Sequence, residues 1–259
     1  MLITSRENPL IKETAALITD KKARKESGLF VAEGARLCSE AMKSGAEVLR
    51  VFLTEEAEKR YETYVSALVS GAKEVFTVTG SVAGKLSDTK TPQGVFAVCK
   101  KAEKEPDFSE NGLYVLLSEL QDPGNLGTIL RTCEAMDARG VFLCSCADCF
   151  SPKVLRSSMG CLFRLPVREF SSTKEALSLL REHGVTTYAA ALSTDAVLLP
   201  DVRFEHRSCV LIGNEGNGLS EETIKSCDRT VMIPMPGKAE SLNAASAAAI
   251  LLYAAVNQR

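Results

Sequence analysis

Apolar and polar residues along this chain fall into short runs that alternate between strand-like and helix-like spacing. Val48-Leu-Arg-Val-Phe-Leu53 and Gly94-Val-Phe-Ala-Val-Cys99 read as buried strands, joined by the shorter Gly28-Leu-Phe-Val-Ala32 and Val75-Phe-Thr-Val78. Helical character lies between them, over residues 8–25, 34–44, 55–70 and 82–86, and Leu37, Ala41 and Met42 give the second of these an inward face. This alternation predicts a small α/β domain over residues 1–100. Residues 101–111 are charged, contain Pro106 and show no period, which marks a linker.

A second domain is predicted over residues 112–259, opening with the strand Leu113-Tyr-Val-Leu-Leu117. The next helix, over residues 125–137, places Leu126, Ile129, Leu130 and Cys133 at i, i+3, i+4 and i+7, so that face packs inward. Arg131 falls on the opposite side, free to face a groove. Further strands are expected at residues 141–144, 186–191, 208–212 and 230–233, and an extended piece at 162–167. Helices are expected at 152–159, 173–183 and 220–227. Strands followed by helices predict a parallel sheet covered on both faces. In the last helix, residues 244–256, only Ser246 and Tyr253 carry polar side-chain atoms, so every side should be buried, in a central core or in a subunit interface.

Composition narrows the class without naming it. With 259 residues, 45% hydrophobic and 25% charged, the chain is of the soluble globular kind, with no apolar run of membrane-spanning length. The N-terminus lacks a signal-peptide layout, so a cytoplasmic protein is expected. Nine cysteines then read as mostly buried free thiols. Cys144, Cys146 and Cys149 cluster, but the chain's 2 histidines, His183 and His206, lie far along it, so no metal site is expected. A net charge of −2 argues against binding nucleic acid by bulk electrostatics and permits a local basic patch. Lys21, Lys22, Arg24 and Lys25, or Lys153 and Arg156, are candidates for phosphate contact; the alternative is a solvated surface.

The candidate chemistry concentrates near the C-terminus. Gly213-Asn-Glu-Gly-Asn-Gly218 follows a buried strand with spacing G-x-x-G-x-G, not the dinucleotide G-x-G-x-x-G, and no phosphate-binding G-x-x-x-x-G-K-[ST] occurs. Nicotinamide and triphosphate ligands are disfavoured. The segment is either a tight turn leading to the helix cap Ser220 or a ligand loop; Glu215, Glu221 and Glu222 suit a cationic or zwitterionic ligand better than an anion. A second loop, Pro234-Met-Pro-Gly237, leads to Ser241-Leu-Asn243, and two strand ends delivering loops to one place is how open α/β sheets build ligand sites. Hydrolytic triads and paired carboxylates at hydrolase spacing are missing. Asn125 and Arg131, Glu215, Ser241 and Asn243 remain, a set suited to group transfer by positioning.

These segments resemble the SpoU/TrmH family of RNA ribose 2'-O-methyltransferases, in the knotted SPOUT superfamily. The resemblance rests on three ordered motifs: Asp122-Pro-Gly-Asn-Leu-Gly-Thr-Ile-Leu-Arg131, Leu211-Ile-Gly-Asn-Glu-Gly-Asn-Gly-Leu219, and Ile233-Pro-Met-Pro-Gly237 with Glu240-Ser-Leu-Asn-Ala-Ala-Ser246. Ser151-Pro-Lys-Val-Leu-Arg-Ser-Ser-Met-Gly160 looks like the family's segment between them. Phe30-Val-Ala-Glu-Gly34 and Thr91-Pro-Gln-Gly94 look like its N-terminal substrate domain, which resembles ribosomal proteins that bind kinked RNA.

The resemblance implies a C-terminal trefoil knot with a parallel sheet, preceded by a ribosomal-protein-like α/β domain. It implies S-adenosylmethionine in the knot loops, at Leu192, Gly213, Asn214, Glu215, Gly216, Ile233, Met235, Ser241, Leu242 and Asn243. It implies a homodimer with the last helix in the interface, and catalysis by Asn125, Arg131, Glu215 and Asn243. A guanidinium stays protonated, so Arg131 is expected to grip the phosphate beside the target ribose and stabilise developing alkoxide; the family's alternative makes it the base. The expected substrate is 23S ribosomal RNA, with transfer RNA, or a noncatalytic role in ribosome assembly, as alternatives.

Overall fold

The computed structural model describes residues 1–102 and 104–258. The first half of the chain forms β1 (Leu2–Ile3), α1 (Pro9–Thr19), α2 (Lys21–Ser27), β2 (Leu29–Glu33), α3 (Ala35–Lys43), β3 (Val48–Leu53), α4 (Glu55–Arg60), α5 (Glu62–Gly71), β4 (Glu74–Val78), α6 (Gly80–Lys85) and β5 (Val95–Lys100). The second half forms β6 (Gly112–Ser118), α7 (Pro123–Ala135), β7 (Ala138–Cys144), α8 (Pro152–Ser157), β8 (Val167–Phe170), α9 (Thr173–Glu182), β9 (Thr186–Ala190), β10 (Val197–Leu198), β11 (Arg207–Ile212), α10 (Glu221–Lys225), β12 (Arg229–Met232) and α11 (Ala244–Asn257). Two compact units result: residues 1–102 with 150–164, and the described residues of 104–149 with 165–258.

In the first unit the sheet runs β1-β4-β3-β5-β2, with β5 antiparallel to both its neighbours. Phe52, Phe76, Phe96 and Leu86 are buried on it. The single helix expected over residues 8–25 is two. Asp20 takes an extended backbone, and its carboxylate accepts from Lys22 N at 2.8 Å, starting α2 as an N-cap. Arg24 is turned inward, 4% exposed, and donates to the Leu17 and Ile18 carbonyls at 2.7 and 3.0 Å, the orphan acceptors at the end of α1. It is a buried helix-end cap, not the phosphate ligand the basic run suggested. The helix expected over residues 55–70 likewise breaks, at Tyr61, into α4 and α5.

The segment from 150 to 164 is expected by sequence within residues 112–259, yet it packs on the first unit. Its apolar side chains explain this: the Phe150 and Phe163 rings lie 5.0 and 5.6 Å from that of Phe30. Arg156 completes the seam, 2.7 Å from Asp88 and 3.6 Å from Glu33. So paired, Arg156 is not a free phosphate ligand either. The extended piece expected at 162–167 begins as a 3-10 turn, Cys161–Phe163, because Gly160 adopts a left-handed φ of 82°.

In the second unit seven strands run β10-β12-β9-β11-β6-β7-β8, all parallel. Tyr114, Leu116, Phe142 and Leu211 are buried in it. Parallel pairing brings the carboxyl ends of β6, β9, β11 and β12 to one edge, with Ile212 beside Leu117 and Val231 beside Ala190. Helix α11 packs on α7 and β11 and buries Ala248, Leu251, Leu252 and Ala255. Within one chain it is buried on one side, and burial of the other side would need the subunit interface that its composition also allows. One chain supplies a layer on one side only, so Ile250, Tyr253 and Val256 stand 41%, 61% and 36% exposed.

No helix among the described residues is long and apolar enough to cross a membrane. All nine cysteines are free. Burial pushes the Cys144 and Cys146 thiols up to about 12 and about 11, so neither is a ready thiolate. No cluster of three or more His, Cys, Asp or Glu among the described residues is placed to hold a metal.

Candidate active site

The glycine-rich segment after β11 is both of the things its sequence allows, a closed turn and a cavity wall. Asn214 and Gly218 exchange backbone hydrogen bonds at 3.1 and 2.9 Å, pinching the loop shut. Asn214 Oδ1 accepts from the N–H groups of Gly216 and Asn217 at 2.8 and 3.2 Å. Its Nδ2 donates to the Glu119 carbonyl at 2.9 Å, tying the loop to the end of β6. Glu119 sits at φ 59° and Ser145, past the end of β7, at φ 53°, conformations a side chain rarely adopts. Gln121 holds both, its Nε2 donating to Ser145 O at 2.8 Å and Glu119 O at 3.3 Å. Strain held in place by hydrogen bonds clusters at functional sites.

Glu215 joins the two halves of the site. Its carboxylate accepts from Gln121 N at 3.3 Å, Asp122 N at 3.2 Å and Asn125 Nδ2 at 3.2 Å. Asn125 sits in the first turn of α7, whose cap Asp122 accepts from its N–H at 2.7 Å. Asn125 Oδ1 in turn accepts from Asn243 Nδ2 at 3.0 Å. Asn243 caps α11, its Oδ1 accepting from Ala245 N and Ser246 N at 2.9 and 3.3 Å. Three expected catalytic residues thus form one chain of hydrogen bonds, fixed at each end by backbone.

Partial burial raises the Glu215 carboxyl, but its own backbone N–H, the Asn125 amide and the N–H groups of Asp122 and Gln121 outweigh it and hold the group below the usual glutamate range. A depressed folded-state pKa contributes stability that is present above the unfolded value and lost as pH falls through the folded one. Lowering the pH from 6 to below about 4, past the ordinary glutamate value, should therefore cost wild type more melting temperature than Glu215→Gln. Equal pH slopes for the two proteins would contradict the hydrogen-bonded assignment.

The loops after β9, β11 and β12 enclose a cavity of about 350 Å³, within the range of small-molecule sites. Leu192, Gly213, Asn214, Glu215, Gly216, Ile233, Met235, Ser241 and Leu242 line it; Asn243 does not, and reaches Asn125 instead. The lining contains no lysine or arginine, so nothing in it would hold a polyphosphate. Aliphatic walls from Ile212, Ile233, Leu242 and Leu251 suit an apolar ring system, and the ionised Glu215 suits a ligand carrying positive charge. S-adenosylmethionine has both features, and these residues fit it.

Arg131 stands apart from this network. It lies exposed on α7, and among the described residues it makes no hydrogen bond or ion pair. Sequence reasoning missed Gln121, Asp122 and the Glu119 carbonyl. Asp122-Pro123 carries the signature of a helix N-cap followed by proline at N1, which finds Asp122. Backbone donors such as Gln121 N leave no mark in a sequence.

Residues 112–253 match the model of the SpoU rRNA methylase family, and residues 8–97 that of an MRM3-like substrate binding domain. The chain is 32% identical to the 23S rRNA (guanosine(2553)-2'-O)-methyltransferase RlmP of Bacillus subtilis, over 97% of each protein. It is also 32% identical to a 23S rRNA (uridine(2479)-2'-O)-methyltransferase of Streptomyces viridochromogenes, over 99% of this chain and 92% of that one. Its fold superposes on an AdoMet-bound rRNA methyltransferase from Sinorhizobium meliloti with a TM-score of 0.87 at 30% identity, covering 99% and 97% of the two chains. The loop cavity, the Glu215–Asn125–Asn243 chain and these likenesses agree: the chain belongs to the SpoU rRNA methylase family.

Proposed function

We propose that this protein is a methyltransferase that moves the methyl group of S-adenosylmethionine to a ribose 2'-hydroxyl of 23S ribosomal RNA, in the cytoplasm and as a homodimer. The observation that carries the reading is the cation-free cavity walled by Gly213, Ile233 and Leu242, next to a carboxylate held ionised by Asn125 and backbone donors. When bound there, S-adenosylmethionine supplies an electrophilic methyl group on a positively charged sulfur. The chain's own residues supply position and charge. Asn214 and Gly218 hold the loop shut, so the backbone wall is rigid before the ligand arrives. Asn125 gives one amide hydrogen to Glu215 and its oxygen to Asn243, which fixes its plane and leaves a second N–H for the substrate ribose.

Arg131 takes the charged end of the substrate. Its guanidinium, exposed and unpaired among the described residues, binds the phosphate next to the target ribose and stabilises the oxygen that becomes negative as its proton leaves. The exposed stripe of Ile250, Tyr253 and Val256 on α11 is the surface through which two copies pair. Tyr253→Glu should convert the dimer to monomer in light scattering at micromolar concentration; an unchanged mass would remove this helix from the interface.

The activity is tested with purified protein, methyl-labelled S-adenosylmethionine and ribosomal RNA from cells lacking the gene. Label should appear in an alkali-resistant 2'-O-methylated dinucleotide. Label in a base, or none at all, would contradict the assignment.

A further inference from the structure

The first unit contains a second cavity, of about 380 Å³, between the 91–94 loop, the α4–α5 junction and the start of α6. It shares no lining residue with the cavity after β9, β11 and β12. Its polar lining includes Glu56, Arg60, Tyr61, Thr91 and Gln93. The Arg60 guanidinium carbon lies over the Tyr61 ring, 5.4 Å from its centroid, so a cation–π pair forms part of the wall. Gln93 is oriented by the fold: its Oε1 accepts from Ala35 N, the first residue of α3, at 2.9 Å. With that oxygen committed to a helix end, the amide nitrogen keeps two N–H donors and, among the described residues, no acceptor.

Charge indicates which part of a ligand would enter. Glu56 and Arg60 are the charged residues of the lining, one of each sign, so the cavity is neutral overall and suits a base better than a phosphate. Two further cations are close in sequence to the groups that hold Gln93: Lys90 precedes Thr91 and Arg36 follows Ala35, both exposed and, among the described residues, unpaired. An aromatic ring paired with arginine, a fixed amide donor and nearby cations are elements by which proteins hold a base splayed out of single-stranded RNA. Resting on the ribosomal RNA reading above, we infer that this cavity takes one unstacked nucleotide of the substrate RNA, stacked beside Tyr61 and Arg60 and accepting a hydrogen bond from Gln93 Nε2. The nucleotide held there is distinct from the methylated one, since this cavity shares no lining residue with the one that would hold S-adenosylmethionine. A base presenting a carbonyl or unprotonated ring nitrogen meets the donor; an exocyclic amine does not.

The test is steady-state methylation of 23S rRNA from cells lacking the gene, using wild type, Gln93→Glu, Tyr61→Ala and Tyr61→Phe, with filter binding of the same RNA alongside. Gln93→Glu keeps an oxygen for Ala35 N and places an acid at a helix N-terminus, so its melting temperature should not fall. It also replaces the free donor with a negative acceptor. Gln93→Glu and Tyr61→Ala should each raise KM and the RNA dissociation constant about tenfold, the scale of losing one base–aromatic contact. Tyr61→Phe should stay near wild type, with kcat and S-adenosylmethionine affinity unchanged throughout. If wild type methylates the RNA while Gln93→Glu and Tyr61→Ala keep its KM, or lose kcat in its place, the pocket assignment is overturned and the methylation reading stands. If wild type methylates no RNA, that reading fails, and filter binding still decides the pocket: a tenfold loss in Gln93→Glu supports it and no loss overturns it.

Discussion

Arg131→Ala is expected to remove methyl transfer while leaving S-adenosylmethionine affinity at the wild-type value. The side chain does not line the cofactor cavity and supports no hydrogen bond of the Glu215–Asn125–Asn243 chain, so its loss disturbs neither. It is also exposed on α7, and truncating an exposed side chain changes stability by about 0.5 kcal/mol or less. The transfer step loses much more. A ribose hydroxyl is a weak nucleophile, and withdrawing a preorganised cation from the oxygen that becomes negative costs about 10²- to 10³-fold in rate. Losing the phosphate grip adds to that. Single-turnover rates with saturating RNA, beside titration calorimetry with S-adenosylmethionine, separate the two effects. Retained single-turnover activity would remove Arg131 from the chemistry. Arg131→Lys keeps a cation without the planar fork, so partial activity there would assign most of the effect to charge.

Gly213→Ala is expected to do the reverse, destroying cofactor binding before any chemistry. A Cβ at position 213 would lie 2.2 Å from the Gly218 carbonyl carbon and 2.4 Å from both the Gly218 oxygen and Leu219 N. These are backbone atoms, with no flexible side chain to swing aside. The loop can accept a methyl group only by opening the Asn214–Gly218 pinch, which displaces the cavity wall and the Asn214 tie to Glu119. Overpacking of this kind costs about 1–3 kcal/mol, or roughly 5- to 150-fold in affinity if all of it falls on the bound conformation. Calorimetry should show S-adenosylmethionine binding weakened to that degree. Unchanged affinity would mean that the loop rearranges freely and that its closed form is not what the ligand meets.

The architecture of the second unit was legible because a parallel sheet covered on both faces writes continuous apolar strands, and these are easy to read. β6 and β11, each almost wholly buried, lie within a residue or two of their sequence-predicted ends. Breaks inside helices were less legible. Asp20 and Tyr61 sit inside patterns that continue through them; at Asp20 a local cap prevails over period, and the break at Tyr61 leaves no mark in the pattern. The two-residue strands β1 and β10 are too short to carry a pattern at all.

For the candidate site, the residue types and their loops were readable, but not the bonds between them. Nothing in the spacing says that Glu215 reaches back to Asn125 across ninety residues, or that Asn243 bridges Asn125 while capping α11. Basic residues misled for a related reason. Arg24 and Arg156 look like phosphate ligands in sequence, yet one caps α1 from the inside and the other sits between Glu33 and Asp88. The last helix shows how far composition alone reaches. Its alanine-rich composition says that all sides are apolar, and only a second layer of protein against Ile250, Tyr253 and Val256 would bury them.

The central claim, that this chain places one methyl group on a ribose of 23S ribosomal RNA, is tested most directly by mapping 2'-O-methylation across ribosomal RNA in cells with and without the gene. A ribose methylation in 23S RNA should disappear in the deletion, return when wild type is supplied and stay absent with Arg131→Ala. Identical maps from the two strains, or a lost base methylation with every ribose mark intact, would contradict it.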